Sequence, residues 1–317
     1  MTDLVTFGET MLRLSPPGDE RVETADEFVA HVAGAESNVA VAAQRLGLET
    51  LWMSKLPDSP VGHNVTGELK NHGVSVDVAW TKESRLGTYY LETADPPRGT
   101  NVLYDRSNSA IQTATTDDFR LDRLRSASGF HTSGITPALS DTLETTTGKL
   151  LREANEAGTT TFFDLNYRSK LWSPTTAQET IAKLLPNVDV LVVAERDAEL
   201  VLDRSGNAAS MARDLDDEYD FDTVVITRGS EGVLALEEGT TYEQSTFDAT
   251  DAHPVGTGDA FVGGFLSRYL RDDSTADALA YGAATAAIKR SIPGDIAVVS
   301  PAEVESVLAG DDTEISR

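Results

Sequence analysis

Two hydrophobic periods take turns along the chain. Leu4-Val5-Thr6-Phe7 is a short, almost wholly apolar run closed by Gly8, the pattern of a buried strand. Glu36 to Leu46 has helical spacing and stops at Gly47. Leu51-Trp52-Met53 is a second short strand, and Val61 to His72 a second helix ending at Gly73. From Val74 to Tyr104 the pattern turns β-like. Tyr89-Tyr90-Leu91-Glu92 and Asn101-Val102-Leu103-Tyr104 flank a Pro96-Pro97-Arg98-Gly99 turn. Strands at 129–132, 160–164, 188–193 and 223–227 then alternate with helical gaps. After Asp259 the apolar positions Phe261, Val262, Phe265, Leu266, Tyr269 and Leu270 recur at i, i+4 and predict a buried helix.

This alternation predicts an α/β fold: a doubly wound, mostly parallel sheet flanked by helices. Sites in such sheets lie at the carboxyl ends of the strands. The β-rich stretch has no helix to cover it. It predicts a small separate sheet from residues 10–30 and 74–107, beside a core of 1–9, 31–73 and 108–317.

Composition narrows the classes. The chain has 317 residues, 40% of them hydrophobic, enough for a full core. Its apolar runs are too short to span a bilayer, and the N-terminal stretch has no secretory pattern, so a cytoplasmic protein is expected. Without cysteine there are no disulfides, thiolate metal sites or thiol catalysis. His31, His63, His72, His131 and His253 are scattered, without metal-ligand spacing. The net charge is −26, and only seven of the 26 basic residues are lysines. Such a field repels nucleic acid and anionic membranes, and in dilute buffer ATP as well. At about 1 M salt the Debye length falls to roughly 3 Å, and the conflict disappears. The composition therefore predicts a protein of a salt-loaded cytoplasm with small-molecule partners.

The densest chemical signal is Pro254 to Phe265. Gly256 and Gly258 allow a tight turn with exposed N–H groups at a helix start, which suits an anion. Asp259 falls in the first helical turn, where a carboxylate could take a proton from a hydroxyl beside a bound phosphate. The plainer alternative is a glycine loop with Asp259 as helix cap. Gly256-Thr257-Gly258-Asp259-Ala260-Phe261 with Gly263-Gly264 resembles the second signature of the ribokinase (PfkB) family of sugar kinases. Gly34-Ala35-Glu36-Ser37-Asn38-Val39-Ala40 resembles that family's first signature, and the likeness runs to about Leu308.

Asp164, Asn166 and Arg168 follow a strand at i, i+2, i+4, and extended backbone would point all three to one face. Their segment is similar to the Asp-x-Asn-x-Arg-x-x-Leu-Trp of the family's sugar-acid kinases and some fructokinases. Tyr104-Asp105-Arg106-Ser107-Asn108-Ser109-Ala110 and Gly87-Thr88-Tyr89-Tyr90 are similar to lid segments of 2-keto-3-deoxygluconate kinases. The resemblance implies a ribokinase-like fold with a β lid. It places Gly34, Asn38, Tyr89, Tyr104, Arg106, Arg168 and Asp259 around a sugar acid, with Arg106 or Arg168 on its carboxylate. The tyrosines could equally pack a hydrophobic lid interface, and pairing of copies through the lid is expected. Thr227-Arg228-Gly229-Ser230-Glu231-Gly232 resembles the family's phosphate loop, and Ala283, Ala284 and Ala287 its adenine-flanking helix.

The implied reaction is in-line transfer from ATP with Mg²⁺ to O6 of 2-keto-3-deoxygluconate or its galactonate epimer. Asp259 is the base, and the backbone of Gly256, Thr257 and Gly258 is the anion hole. A fructokinase, or an inactive sugar-binding regulator, is the competing reading. Two departures stand out. Ala194-Glu195-Arg196-Asp197 replaces the family's Asn-x-x-Glu, leaving Asp197, with a shorter reach, or alternatively Glu195 to hold metal-bound water. His253, with Asp251 two residues earlier, stands where relatives carry an Asp linked to a monovalent-cation site, so that site is not expected here.

Overall fold

A computed structural model describes residues 2–94, 97–250 and 252–310. Pro96 of the expected turn and Asp251 lie outside them, as do Met1 and residues 311–317 at the ends of the expected core. The chain opens with strands β1 (Leu4–Phe7), β2 (Met11–Ser15) and β3 (Val29–Ala33), helix α1 (Ala35–Arg45), β4 (Thr50–Pro57), helix α2 (Pro60–Asn71) and β5 (Ser75–Thr81). β6 (Thr88–Glu92), β7 (Asn101–Asp105), α3 (Leu121–Arg125), β8 (Gly129–Ser133), α4 (Asp141–Glu156) and β9 (Thr160–Asp164) follow. Next come α5 (Pro174–Leu184), β10 (Val190–Ala194), α6 (Glu195–Leu202), α7 (Ala208–Tyr219) and β11 (Thr223–Thr227). The last elements are β12 (Val233–Glu237), β13 (Thr240–Gln244), α8 (Thr257–Tyr269), α9 (Thr275–Lys289) and α10 (Pro301–Ala309).

Nine strands form the main sheet in the order β13-β12-β11-β10-β9-β8-β1-β4-β5. It is parallel from β11 to β5, with β12 and β13 added as an antiparallel edge. The inner strands β9, β10 and β11 carry apolar side chains on both faces. Phe163, Leu191, Val193, Val224 and Ile226 pack under α4 to α7, while Phe162, Val190, Val192 and Val225 pack under α1, α8 and α9. A strand covered on both sides must read as an unbroken apolar run, as these do.

The small sheet has the order β3-β2-β6-β7. Its bounds differ from those expected. Ser75–Thr81 is not lid but the parallel edge strand of the main sheet, paired with β4. Val76 and Val78 join Trp52, Leu56 and Leu69 in a cluster that α2 covers. A β-like pattern reports extended backbone, not which sheet receives it. Likewise β3 runs through Ala33, past the expected boundary at residue 30. No helix among the described residues is long and apolar enough to cross a membrane.

Candidate active site

Three helices start at the carboxyl ends of strands without a capping side chain. Gly34 precedes α1, Ala194 precedes α6 and Gly256 precedes α8. Elsewhere Ser59, Ser140, Ser173, Asn207, Ser274 and Ser300 accept hydrogen bonds from the first turns of their helices. An uncapped start leaves N–H groups and partial positive charge available to an anion. All three open starts line one cavity of about 580 Å³. Gly256 has φ of 80°, and a Cβ there would stand 2.1 Å from the Asp295 carbonyl oxygen, so the turn requires glycine.

Asp259, third residue of α8, faces the cavity. Asn38 Nδ2 donates to its Oδ2 at 2.7 Å, so Asn38 orients the carboxylate besides lining the cavity. Burial raises the Asp259 pKa, against the pull of the Asn38 bond and the Arg168 charge.

Asp164, Asn166 and Arg168 also line this cavity, but not through extended backbone. β9 ends at Asp164, and Asn166 is left-handed at φ 41°. Asn166 Nδ2 donates to Asp164 Oδ2 at 3.1 Å. Burial, reinforced by the Asp259 charge, pushes Asp164 up to about 7. Arg168 reaches only the Tyr167 carbonyl, at 3.5 Å, and has no carboxylate partner among the described residues.

The lid side differs. Tyr89, Tyr104 and Arg106 line the cavity, yet two of them are already engaged. Arg106 is buried in an ion pair with Glu9, which also accepts from Ser109 Oγ at 2.6 Å. Its guanidinium lies 5.2 Å from the Tyr104 ring centre. Tyr89 donates its hydroxyl to Asp295 at 3.0 Å, and Arg13 holds Asp295 at 2.8 Å.

Glu9, Arg13, Asp295 and Glu36 are the site's unforeseen charges. In a chain with 52 acidic residues nothing marks Glu9 or Asp295 by type. Only the place of Glu9 after Gly8, at a strand's carboxyl end, was a usable signal. Glu36 lies inside the first signature. It is buried against Gly8 and accepts from Ser133 Oγ and Thr136 Oγ1, both at 2.7 Å. Burial raises it to about 7 despite those bonds.

A second cavity, of about 660 Å³, adjoins the first, and Thr227, Thr257, Gly258 and Phe261 belong to both. Gly229 and Gly232 line it, with Ala283, Ala286 and Ala287 of α9. Two expected contacts are absent. Ala284 faces the other way, packed with Ala42 and Leu46 in the core. Arg228 lines neither cavity and donates to Glu243 at 2.9 Å. Both follow from direction: one helical residue turns a side chain by 100°, and the strand end sends Arg228 toward β13.

Asp197 is buried at the start of α6, faces the first cavity, and receives the Arg196 guanidinium at 3.0 Å. Among the described residues no three histidine or acidic side chains converge to hold a metal. Single carboxylates such as Asp197 and Asp164 do suit Mg²⁺, which keeps several waters and enters with substrate phosphates.

A family model for pfkB family carbohydrate kinases matches residues 1–302. A 2-dehydro-3-deoxygalactonokinase of Haloferax volcanii is 57% identical over 315 residues, which are 99% of either chain. A 2-dehydro-3-deoxygluconokinase of Bacillus subtilis is 32% identical, over 93% of this chain and 91% of its own. The crystal structure of 2-dehydro-3-deoxygluconokinase from Thermotoga maritima matches with a TM-score of 0.92 and 36% identity, covering 98% of both chains.

Proposed function

Because the chain belongs to the pfkB family of carbohydrate kinases, we propose that it moves the γ-phosphoryl group of ATP to O6 of a 2-keto-3-deoxy sugar acid. The observation that carries this reading is the junction of the two cavities at Thr257 and Gly258, with Asp259 on the side of the charged pocket. Asp259 accepts the hydroxyl proton as O6 bonds to the γ-phosphorus. The bond from that phosphorus to the bridging oxygen breaks, and ADP leaves with its electrons. The N–H groups of Gly256 and Gly258 meet the negative charge that develops between the two oxygens, whereas the expected Thr257 N–H is turned to the Pro254 carbonyl at 3.3 Å and would have to leave it to join them. Mg²⁺, carried on the nucleotide and held through water by Asp197, would neutralise phosphate charge.

Arg168 pairs the sugar carboxylate, since Glu9 already answers Arg106 inside the protein. Tyr89, Tyr104 and Gly34 close around the sugar. The name of the Haloferax relative favours the galactonate-derived epimer. The work belongs in the cytoplasm, where ATP is supplied. Two copies pair through the outer face of the small sheet, where Phe28 meets Tyr90 edge-on at 5.7 Å and Leu103 is 46% exposed. Light scattering that reads a monomer would exclude this pairing.

ATP consumption in molar KCl with Mg²⁺ tests the assignment against both keto-deoxy acids, fructose and ribose. Turnover confined to the acids is expected, and a preference for fructose would overturn the role of Arg168. Asp259→Asn should melt like the native protein and lose at least about 100-fold in turnover. Near-native turnover of that variant removes Asp259 as base. Folded protein inactive with every sugar returns the reading to a sugar-binding regulator.

A further inference from the structure

Lys289, the last residue of α9, is completely buried. An ammonium carries three donors and no acceptor, and burying it unanswered is costly. Its Nζ donates to the backbone carbonyl of Ile292 at 3.0 Å and reaches that of His253 at 3.5 Å. These carbonyls belong to two loops. One leads through Pro254 into the Gly256 turn; the other leads to Asp295, whose backbone packs against Gly256. The loops are also joined by the His253 N–H, which donates to the Arg290 carbonyl at 3.0 Å. Burial lowers the Lys289 pKa from the usual lysine value, helped by the Arg13 charge, and the carboxylates of Asp295 and Asp259 work against that fall by attracting the ammonium.

We infer that Lys289 is a built-in monovalent cation: its ammonium, set among carbonyl oxygens, holds the two loops together, fixes the Gly256 turn for the transferring phosphoryl group, and does what a bound inorganic cation would do there. Carbonyl oxygens that replace water around a single positive charge are the chemistry of a potassium site, and here the charge is covalently attached. Lys289 is a positioning residue; it acts through the turn and touches no reacting atom. The inference rests on the kinase reading for its turnover assay but not for its binding assay.

The experiment compares wild type and Lys289→Ala at one high ionic strength, set with choline chloride, KCl or NH₄Cl. Wild type should turn over equally in all three, to within about 2-fold. Lys289→Ala should keep its KM for the sugar and lose about 100-fold in kcat in choline, as when a group that supports an anion hole is removed. KCl or NH₄Cl should restore most of that loss, because a small cation enters the vacated space and choline is too large. Calorimetric titration with ADP, which needs no sugar, should show the same loss in choline and the same rescue. A wild type that requires K⁺, a variant as active as wild type in choline, or a folded variant equally impaired in all three salts would each overturn the inference. If Lys289→Ala does not fold in choline, folding restored by KCl or NH₄Cl supports the inference, and failure to fold in any of the salts overturns it. Wild type that binds ADP but phosphorylates no sugar would refute the kinase reading and leave this one standing.

Discussion

A single buried carboxyl shows how much a residue's environment decides. Glu36 is raised to about 7 because burial disfavours its charge more than two hydroxyl donors favour it. The unfolded chain releases that proton at its ordinary pKa of 4.5. The folded state therefore holds more protons between the two values. The stabilisation is full below about 4.5, declines as pH rises to about 7, and is lost above it, on the order of 3 kcal/mol in all. Asp164 contributes with the same sign. Glu36→Gln should flatten part of this decline and melt higher than wild type at pH 8. Melting curves from pH 5 to 8 read the difference, and parallel curves for the two proteins would mean that Glu36 is ionised when folded. The sequence revealed the signature that contains Glu36 but not its burial, which depends on Ser133 and Thr136 about a hundred positions away. Long-range pairs such as Arg106 with Glu9 were illegible for the same reason.

Elements, by contrast, announced themselves wherever period and punctuation agreed. Gly47 and Gly73 ended α1 and α2 close to where expected, and apolar runs marked β8 to β11. The seven residues of β5 resemble lid in sequence yet pair with β4 in the main sheet, because extended character says nothing of partners. Helix α9 shows the finer limit. Its small residues were visible, but their facing was not: Ala283, Ala286 and Ala287 line the second cavity, while Ala284 packs inward. The two faces predict opposite variants. Ala287→Leu should fill the cavity and raise the KM for ATP about 10-fold, near 1.4 kcal/mol, with melting unchanged. Ala284→Leu should overpack the core and cost about 1–3 kcal/mol of stability, with the KM unchanged in whatever folds. Kinetics and melting on the two proteins check this, and an exchange of the two phenotypes would reverse the facing of α9.

At the scale of the whole molecule, charge outweighs any single contact. A net charge of −26 on 317 residues leaves many carboxylates without a cation to pair with. Those that do pair are mostly exposed, like Arg85 with Asp105 and Lys183 with Glu144, and such pairs add about 0–1 kcal/mol each. Charges in and around the first cavity are more nearly balanced, with Arg13, Arg106, Arg168 and Lys289 set among the carboxylates there, so the excess lies on the outside. Low salt then acts twice, loosening the compact state by self-repulsion and keeping anionic ATP and sugar acid away. Near 1 M the Debye length of about 3 Å confines each surface charge to its immediate neighbours and removes both effects. Denaturant unfolding at increasing KCl should show stability climbing steeply toward molar salt, and the KM for ATP should fall over the same range. Choline chloride should reproduce the rise in stability, since screening depends on ionic strength and Lys289 leaves no need for a particular cation. Stability unchanged from dilute buffer to molar salt would mean that the acidic surface is tolerated rather than used.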